Sequence, residues 1–151
     1  MSTIKFVHTN IIAQDWKKLA DFYVDVFQCE RLEPHRDLSE PWLAEATNIP
    51  SARLKGAHLR LPGFAKDEGP TLEIFQYQPQ GNSGLVQAND RGFGHIAFLV
   101  DNVQEVAKHV LEQGGSQVGE QIQTEIRARL EFRTNFGSRQ CFLRDLACTE
   151  M

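Results

Sequence analysis

A strand that carries a histidine and runs at once into an amphipathic helix occurs twice in this chain, and that repetition restricts the fold more than any other feature. In the second copy, Phe93, His95, Ala97 and Leu99 alternate with Gly94, Ile96, Phe98 and Val100, the period of a β-strand. Both faces are largely apolar, as in a strand covered on two sides. Asp101-Asn102 ends the strand, and Val103, Val106, Ala107, Val110 and Leu111 follow at helical spacing. Asn102 with Glu105 has the spacing of a capping box.

The first copy is Phe6-Val7-His8-Thr9-Asn10-Ile11-Ile12, with Asp15 placed to cap a helix striped by Trp16, Leu19, Ala20, Tyr23, Val26 and Phe27. Strands are expected again at Arg31-Leu32-Glu33, Arg53 to Leu61 and Thr71 to Tyr77, with Pro62-Gly63 closing the second. Pro34 to Pro50, with Trp42, reads as a long irregular loop of the kind that forms lids and binding loops. The stretch 80–91 is rich in Gly, Asn, Gln and Ser and reads as a polar linker. It divides residues 1–151, taken as one domain, into strand–helix–strands modules at 4–79 and 92–151. In the second, Gly114-Gly115 stops the helix, and later strands are expected within 117–126, 128–134 and 139–146.

A net charge of −4 over 151 residues, with no basic aromatic face, speaks against nucleic acid as a partner. No apolar run reaches the roughly 18 residues of a membrane span, and no signal peptide opens the chain. Cys29, Cys141 and Cys148 are odd in number and unpaired in spacing, which suits reduced thiols and a cytoplasmic setting.

If the modules share a topology, a pseudo-twofold makes His8 and His95 equivalent. Each module also offers an acid late in its order, Glu73 in an apolar strand and Glu150 near the end. An acid in a strand as apolar as Leu72-Glu73-Ile74-Phe75 needs a partner. Two imidazoles and two carboxylates suit a borderline divalent cation. His58, in Gly56-Ala57-His58-Leu59-Arg60, reads as a pocket or packing residue. Arg127, Arg129, Arg133, Arg139 and Arg144 make the last third locally basic. That is either a solvated face paired with Glu125 and Glu131 or an anion site for a substrate carboxylate or phosphate.

The two His strands, Ala20-Asp21-Phe22-Tyr23-Val24-Asp25-Val26-Phe27 and Leu72-Glu73-Ile74 together resemble the vicinal oxygen chelate superfamily. That group holds glyoxalase I, bleomycin resistance proteins, methylmalonyl-CoA epimerase, extradiol dioxygenases and fosfomycin-resistance enzymes. The resemblance spans nearly the whole chain. It implies an α+β fold in which two βαβββ modules form a cupped mixed sheet, with helices outside, around one divalent metal ion (Ni, Zn, Co, Mn or Fe). By it the metal positions are His8, Glu73, His95 and Glu150, the catalytic base is Glu150 or Glu73, and His58, Trp42 and Tyr77 line the substrate pocket. It also implies a homodimer. The chain departs from the family where an Asp-Pro-Asp-Gly-Asn-like turn usually precedes the last strand, since Asp145-Leu146-Ala147-Cys148-Thr149-Glu150 has no such glycine. Ile12 and Tyr77 stand where glyoxalase I holds glutathione, which turns the expectation toward another substrate.

The expected chemistry is proton abstraction next to a carbonyl of a small substrate chelated through adjacent oxygens, with a lyase, isomerase or epimerase outcome. The alternatives are an Fe(II) extradiol-type dioxygenase on a 2-His-1-carboxylate site and a non-catalytic small-molecule binding or resistance protein.

Overall fold

The computed structural model describes residues 4–66, 68–81, 95–119, 122–123, 128–134 and 141–145, the last three segments as backbone. Helix α1 (Trp16–Phe27) shows how its sequence builds it. Asp15 accepts a hydrogen bond from the Lys18 amide at 3.1 Å, satisfying one of the free donors of the first turn. Gln28 closes the other end in the left-handed region at φ 56°, while the Cys29 amide donates back to the Tyr23 carbonyl at 3.2 Å. Leu19, Ala20, Phe22, Tyr23, Val26 and Phe27 form a buried stripe, with Phe22, Tyr23 and Phe27 in mutual ring contact.

That stripe packs on a four-stranded mixed sheet ordered β1-β4-β3-β2, where β1 is His8–Ile12, β2 Glu30–Leu38, β3 Arg53–Arg60 and β4 Thr71–Gln78. β1 runs parallel to β4, and the other pairings are antiparallel. Leu59, Ala57, Leu72 and Ile74 are buried in the same core. On β4, Leu72 and Ile74 share one face, and Thr71, Glu73, Phe75 and Tyr77 share the other by alternation. Gly56 on β3 is a position of close approach. A Cβ there would lie 2.1 Å from the Ile74 carbonyl oxygen and 2.3 Å from Phe75 Cδ1.

The stretch expected to be a long loop is ordered instead. β2 continues through Pro34 to Leu38, and Pro41–Thr47 forms a short helix, α2. Pro34 is tolerated because β2 is an edge strand whose register against β3 shifts between Leu32 and Arg36. Pro41 sits at the start of α2, where its missing amide hydrogen costs nothing. α2 buries Leu43 against Ala52 and Leu54, with Leu38, Ile49, Phe75 and Tyr77 packed around them.

The chain divides into two compact units, residues 1–83 and 84–151. The second opens with β5 (Ile96–Val100), one residue past His95, and then α3 (Val103–Glu112), where the Asn102 side chain accepts from the Glu105 amide at 3.1 Å. Gly114, at φ 85°, follows the helix end. β6 (Gly115–Gln117), β7 (Ile122–Gln123), β8 (Ala128–Thr134) and β9 (Cys141–Asp145) complete a sheet ordered β5-β9-β8-β6, with β7 also on β8. β5 runs parallel to β9, and β9 antiparallel to β8. Both units therefore follow one path, in which the opening strand crosses over by a helix and ends parallel to the last strand. The α+β fold and the repeat expected from the sequence are both present. The linker expected at 80–91 falls outside the described residues from 82 onward. No helix among the described residues is long and apolar enough to cross a membrane.

Candidate functional site

The strand ladder of the first unit brings three sequence-selected side chains together. Asn10 on β1 and His58 on β3 are the cross-strand partners of Glu73 on β4, so all three share one face. His8 lies on that face, two residues before Asn10. Glu73 is buried, at 9% exposure. Its two oxygens look different ways. Oε1 is 3.3 Å from His58 Nε2. Oε2 is 3.5 Å from His8 Nε2, and Asn10 Nδ2 donates to it at 3.5 Å. The face is the one turned away from α1, since Glu73 alternates with the core residues Leu72 and Ile74.

His58 stands against the Phe75 ring, with centroids 5.7 Å apart. Its pKa lies below the ordinary 6.5, chiefly because partial burial penalises the charged ring; the Glu73 carboxylate opposes this, and the charges of Arg36 and His8 add to it. Arg36 reaches this face through the register shift in β2, which pairs it with Gly56, two residues from His58.

An imidazole nitrogen and a carboxylate oxygen are suitable donors for a borderline divalent cation. Two donors each about 2.0–2.2 Å from such an ion stand about 3 Å apart when they meet it at right angles. The 3.5 Å between His8 Nε2 and Glu73 Oε2 is near that spacing with both side chains in place on their strands. The pair therefore fits a metal. It is not a complete set: among the described residues no group of three or more His, Cys, Asp or Glu is placed to hold one.

Within the first unit, the expected pocket residues Trp42 and Tyr77 lie apart from this cluster. Trp42 is exposed on α2, and Tyr77 packs against the Leu43, Ala52 and Leu54 cluster farther along β4. His95 is an exposed residue at the head of β5 in the second unit. Glu150 lies outside the described residues. Counting rungs as in the first unit, the place of Asn10 falls to Ala97, that of Glu73 to Phe142 and that of His58 to Glu131.

The contact of His58 with Glu73 was the part of the site that motif reading missed. Its signal was the hairpin between β3 and β4. A turn closed by Pro62-Gly63 and Pro70 pairs residues at equal distances on either side of it, and His58 and Glu73 are such a pair.

Comparison with known proteins agrees with this arrangement. The model of the family described as the Glyoxalase/Bleomycin resistance protein/Dioxygenase superfamily matches residues 5–142. A lactoylglutathione lyase of Schizosaccharomyces pombe is 30% identical over 125 residues, covering 77% of this chain and 39% of that protein. The chain thus spans well under half the length of that curated relative. A glyoxalase family protein from Bacillus cereus superposes with a TM-score of 0.80 at 16% identity, over 96% of this chain and 95% of that one. A variant of the fosfomycin resistance protein FosX from Listeria monocytogenes, solved with Mn(II) and 1S,2S-dihydroxypropylphosphonic acid, superposes with a TM-score of 0.56 at 17% identity, over 93% of this chain and 91% of that one.

Proposed function

The chain belongs to the Glyoxalase/Bleomycin resistance protein/Dioxygenase superfamily, and we propose that within it the protein is a metal-dependent, glyoxalase-like enzyme. The reaction is proton abstraction next to a carbonyl of a small substrate held through adjacent oxygens, with a lyase, isomerase or epimerase outcome. The observation that carries this reading is the meeting of His8 and Glu73, 3.5 Å apart, on the face of the first sheet that α1 leaves uncovered.

In this reading His8 and Glu73 are two of the metal positions. His95 is a third, and Glu150 is the acid assigned from the second module. A divalent cation so held supplies Lewis-acid polarisation of a substrate carbonyl. The residues do the rest. Asn10 and His58 flank Glu73 and fix the direction of its two oxygens. Phe75 walls the site beside His58 and limits the water that reaches a substrate there. Glu150 takes the proton from the carbon next to the carbonyl and returns it, with Glu73 as the alternate base. His58, Trp42 and Tyr77 are assigned to substrate contact, although Tyr77 also packs in the α2 cluster. The protein is taken as a cytoplasmic homodimer with a small-molecule substrate and no nucleic-acid or membrane partner.

The test is metal retention. Protein purified without added metal should carry a stoichiometric divalent ion. His8→Ala and His95→Ala should lose it while keeping their circular dichroism. Full retention in the double variant would overturn the reading. Oxygen uptake on catechols with bound iron would instead favour the extradiol dioxygenase, and substrate binding unchanged by either substitution would favour a non-catalytic binding protein.

A further inference from the structure

One charged residue on the face of His8 and Glu73 is not used by the proposed chemistry. β2 carries Glu30, Arg31, Glu33, His35, Arg36 and Asp37. Glu30 pairs with Arg60, Arg31 with Asp21, Glu33 with His35, and Asp37 with Arg53 and Lys55. Arg36 is exposed, and on this strand it alone has no ion pair among the described residues.

Register fixes where Arg36 stands. Leu32 pairs with His58 and Arg36 with Gly56, so β2 advances four residues where β3 advances two. Without that shift Pro34 would face Gly56. Cross-strand partners share a face. Arg36 therefore lies on the face of Gly56 and His58, and of their β4 partners Phe75 and Glu73. Gly56 raises no side chain between Arg36 and Phe75, whose ring lies close over the glycine: a Cβ at Gly56 would be 2.3 Å from Phe75 Cδ1. The ground between Arg36 and Glu73 is thus an apolar floor, Phe75, beside His58. The guanidinium charge is felt across it. Burial does most to lower the His58 pKa, and Arg36 adds to the lowering. Arg36 and Glu73 are two strand spacings apart across the sheet and two residues apart along it, about 12 Å between Cα atoms. With both side chains standing off the sheet, a small molecule spans that distance. The other arginine on this face of the first unit, Arg60, is committed to Glu30.

We propose that Arg36 is the specificity-determining residue of this face and receives a carboxylate, phosphonate or phosphate group of the substrate. A guanidinium presents a planar fork of donors that meets two oxygens of such a group at once. Having no acid of its own, Arg36 gives up no ion pair when an anion arrives. The substrate class is therefore an anionic small molecule whose charged group lies a few bonds from the oxygens chelated at His8 and Glu73. The chelated end rests on the enzyme reading; the anion contact does not.

The test is calorimetric titration of the full chain, both loaded with Mn(II) and stripped with chelator, at ionic strength fixed with chloride. The probes are dihydroxyacetone, its monophosphate and δ-hydroxylevulinate, which share a hydroxy-ketone end and carry no charge, a phosphate and a carboxylate. A charged probe should bind roughly 10-fold or more tighter than the neutral one, and the tighter of the two identifies the group received. Arg36→Gln should weaken that probe roughly 10- to 100-fold and so remove the preference. The neutral probe and the melting temperature should stay as in wild type, because no ion pair is broken. Arg36→Lys, which keeps the charge but loses the fork, should fall between. Arg53→Gln, on the face that α1 packs against, should change nothing. The proposal is overturned if neither charged probe binds more tightly than the neutral one, if Arg36→Gln keeps the preference, or if Arg53→Gln reduces it equally, which would mark a diffuse field. An Arg36-dependent preference in stripped protein that takes up no metal would sink only the enzyme reading, and metal retention without such a preference would sink only this one.

Discussion

Replacing Glu73 separates a carboxylate kept for chemistry from one kept for the fold. The residue is 9% exposed in a strand whose neighbours Leu72 and Ile74 are core. Its compensation is thin: two imidazole nitrogens at 3.3 and 3.5 Å and an amide at 3.5 Å, with no guanidinium or ammonium among the described residues paired to it. These contacts lie at the long end of hydrogen-bond range. Burying a polar group with poor partners costs about 1–3 kcal/mol, and burying a leucine side chain instead gains about 1.5–3 kcal/mol. His8 and His58 retain access to solvent and can hydrate when the carboxylate goes. In chelator-treated protein Glu73→Leu should therefore be at least as stable as wild type, and up to about 2 kcal/mol more so, since overpacking by the new methyls offsets part of the gain. At about 2–4 °C per kcal/mol for a chain of this size, that rise is visible in a melt followed by circular dichroism. Metal should reverse the order. A cation at 100 times its Kd adds about 2.7 kcal/mol to a protein that binds it only when folded, and Glu73→Leu should gain almost none of this. A loss above about 1 kcal/mol without metal would show that the sheet needs the carboxylate, and would refute the reasoning.

Three further outcomes follow from the same geometry. Gly56→Ala places a methyl 2.1 Å from a backbone oxygen that cannot swing aside, so urea denaturation should show a loss of about 1–3 kcal/mol; an unchanged midpoint would mean that β3 and β4 part easily. Asp15→Ala and Asn102→Ala each remove a cap seen in the structure and should cost about 0.5–2 kcal/mol apiece, additively, in the same assay. The folded-state pKa of His58 is lowered from 6.5, so the unfolded chain takes up protons first. The stability that this adds is complete above about pH 6.5 and is lost as pH falls through the lower folded value. His58→Gln should remove that part of the pH slope below about 6.5, and an unchanged slope would place its origin elsewhere.

Elements whose signals are local were legible. Asp15 and Asn102 announced their helices because a cap acts over three residues. His8 and Glu73 stood out because a polar group in an apolar strand needs a reason. The segment from Pro34 to Pro50 misled because two prolines with charges between them resemble a loop, whereas β2 keeps pairing past Pro34 by shifting register and Pro41 starts a helix. What sets Pro34 apart from a loop proline is that β2 lies at the sheet edge, and nothing local encodes edge position.

The site raised a harder difficulty, because a ligand set depends on register and not on order along the chain. Matching the modules by order pairs the acid of one late segment with the acid of the other, Glu73 with Glu150. Matching them by rung gives another result: Ala97 stands for Asn10, Phe142 for Glu73 and Glu131 for His58. The family match ends at residue 142, on that same rung. A one-residue slip turns every side chain of a strand to the opposite face, so the rung cannot be counted until both hairpins are closed. In the first module the prolines and glycine of the turn at 62–70 fix the closure. In the second, the sequence between β8 and β9, Asn135-Phe136-Gly137-Ser138-Arg139-Gln140, has one glycine and no proline. Divergence between the repeats is therefore expected to sit on the open faces. In register, the rung of Asn10, Glu73 and His58 in one unit answers to Ala97, Phe142 and Glu131 in the other.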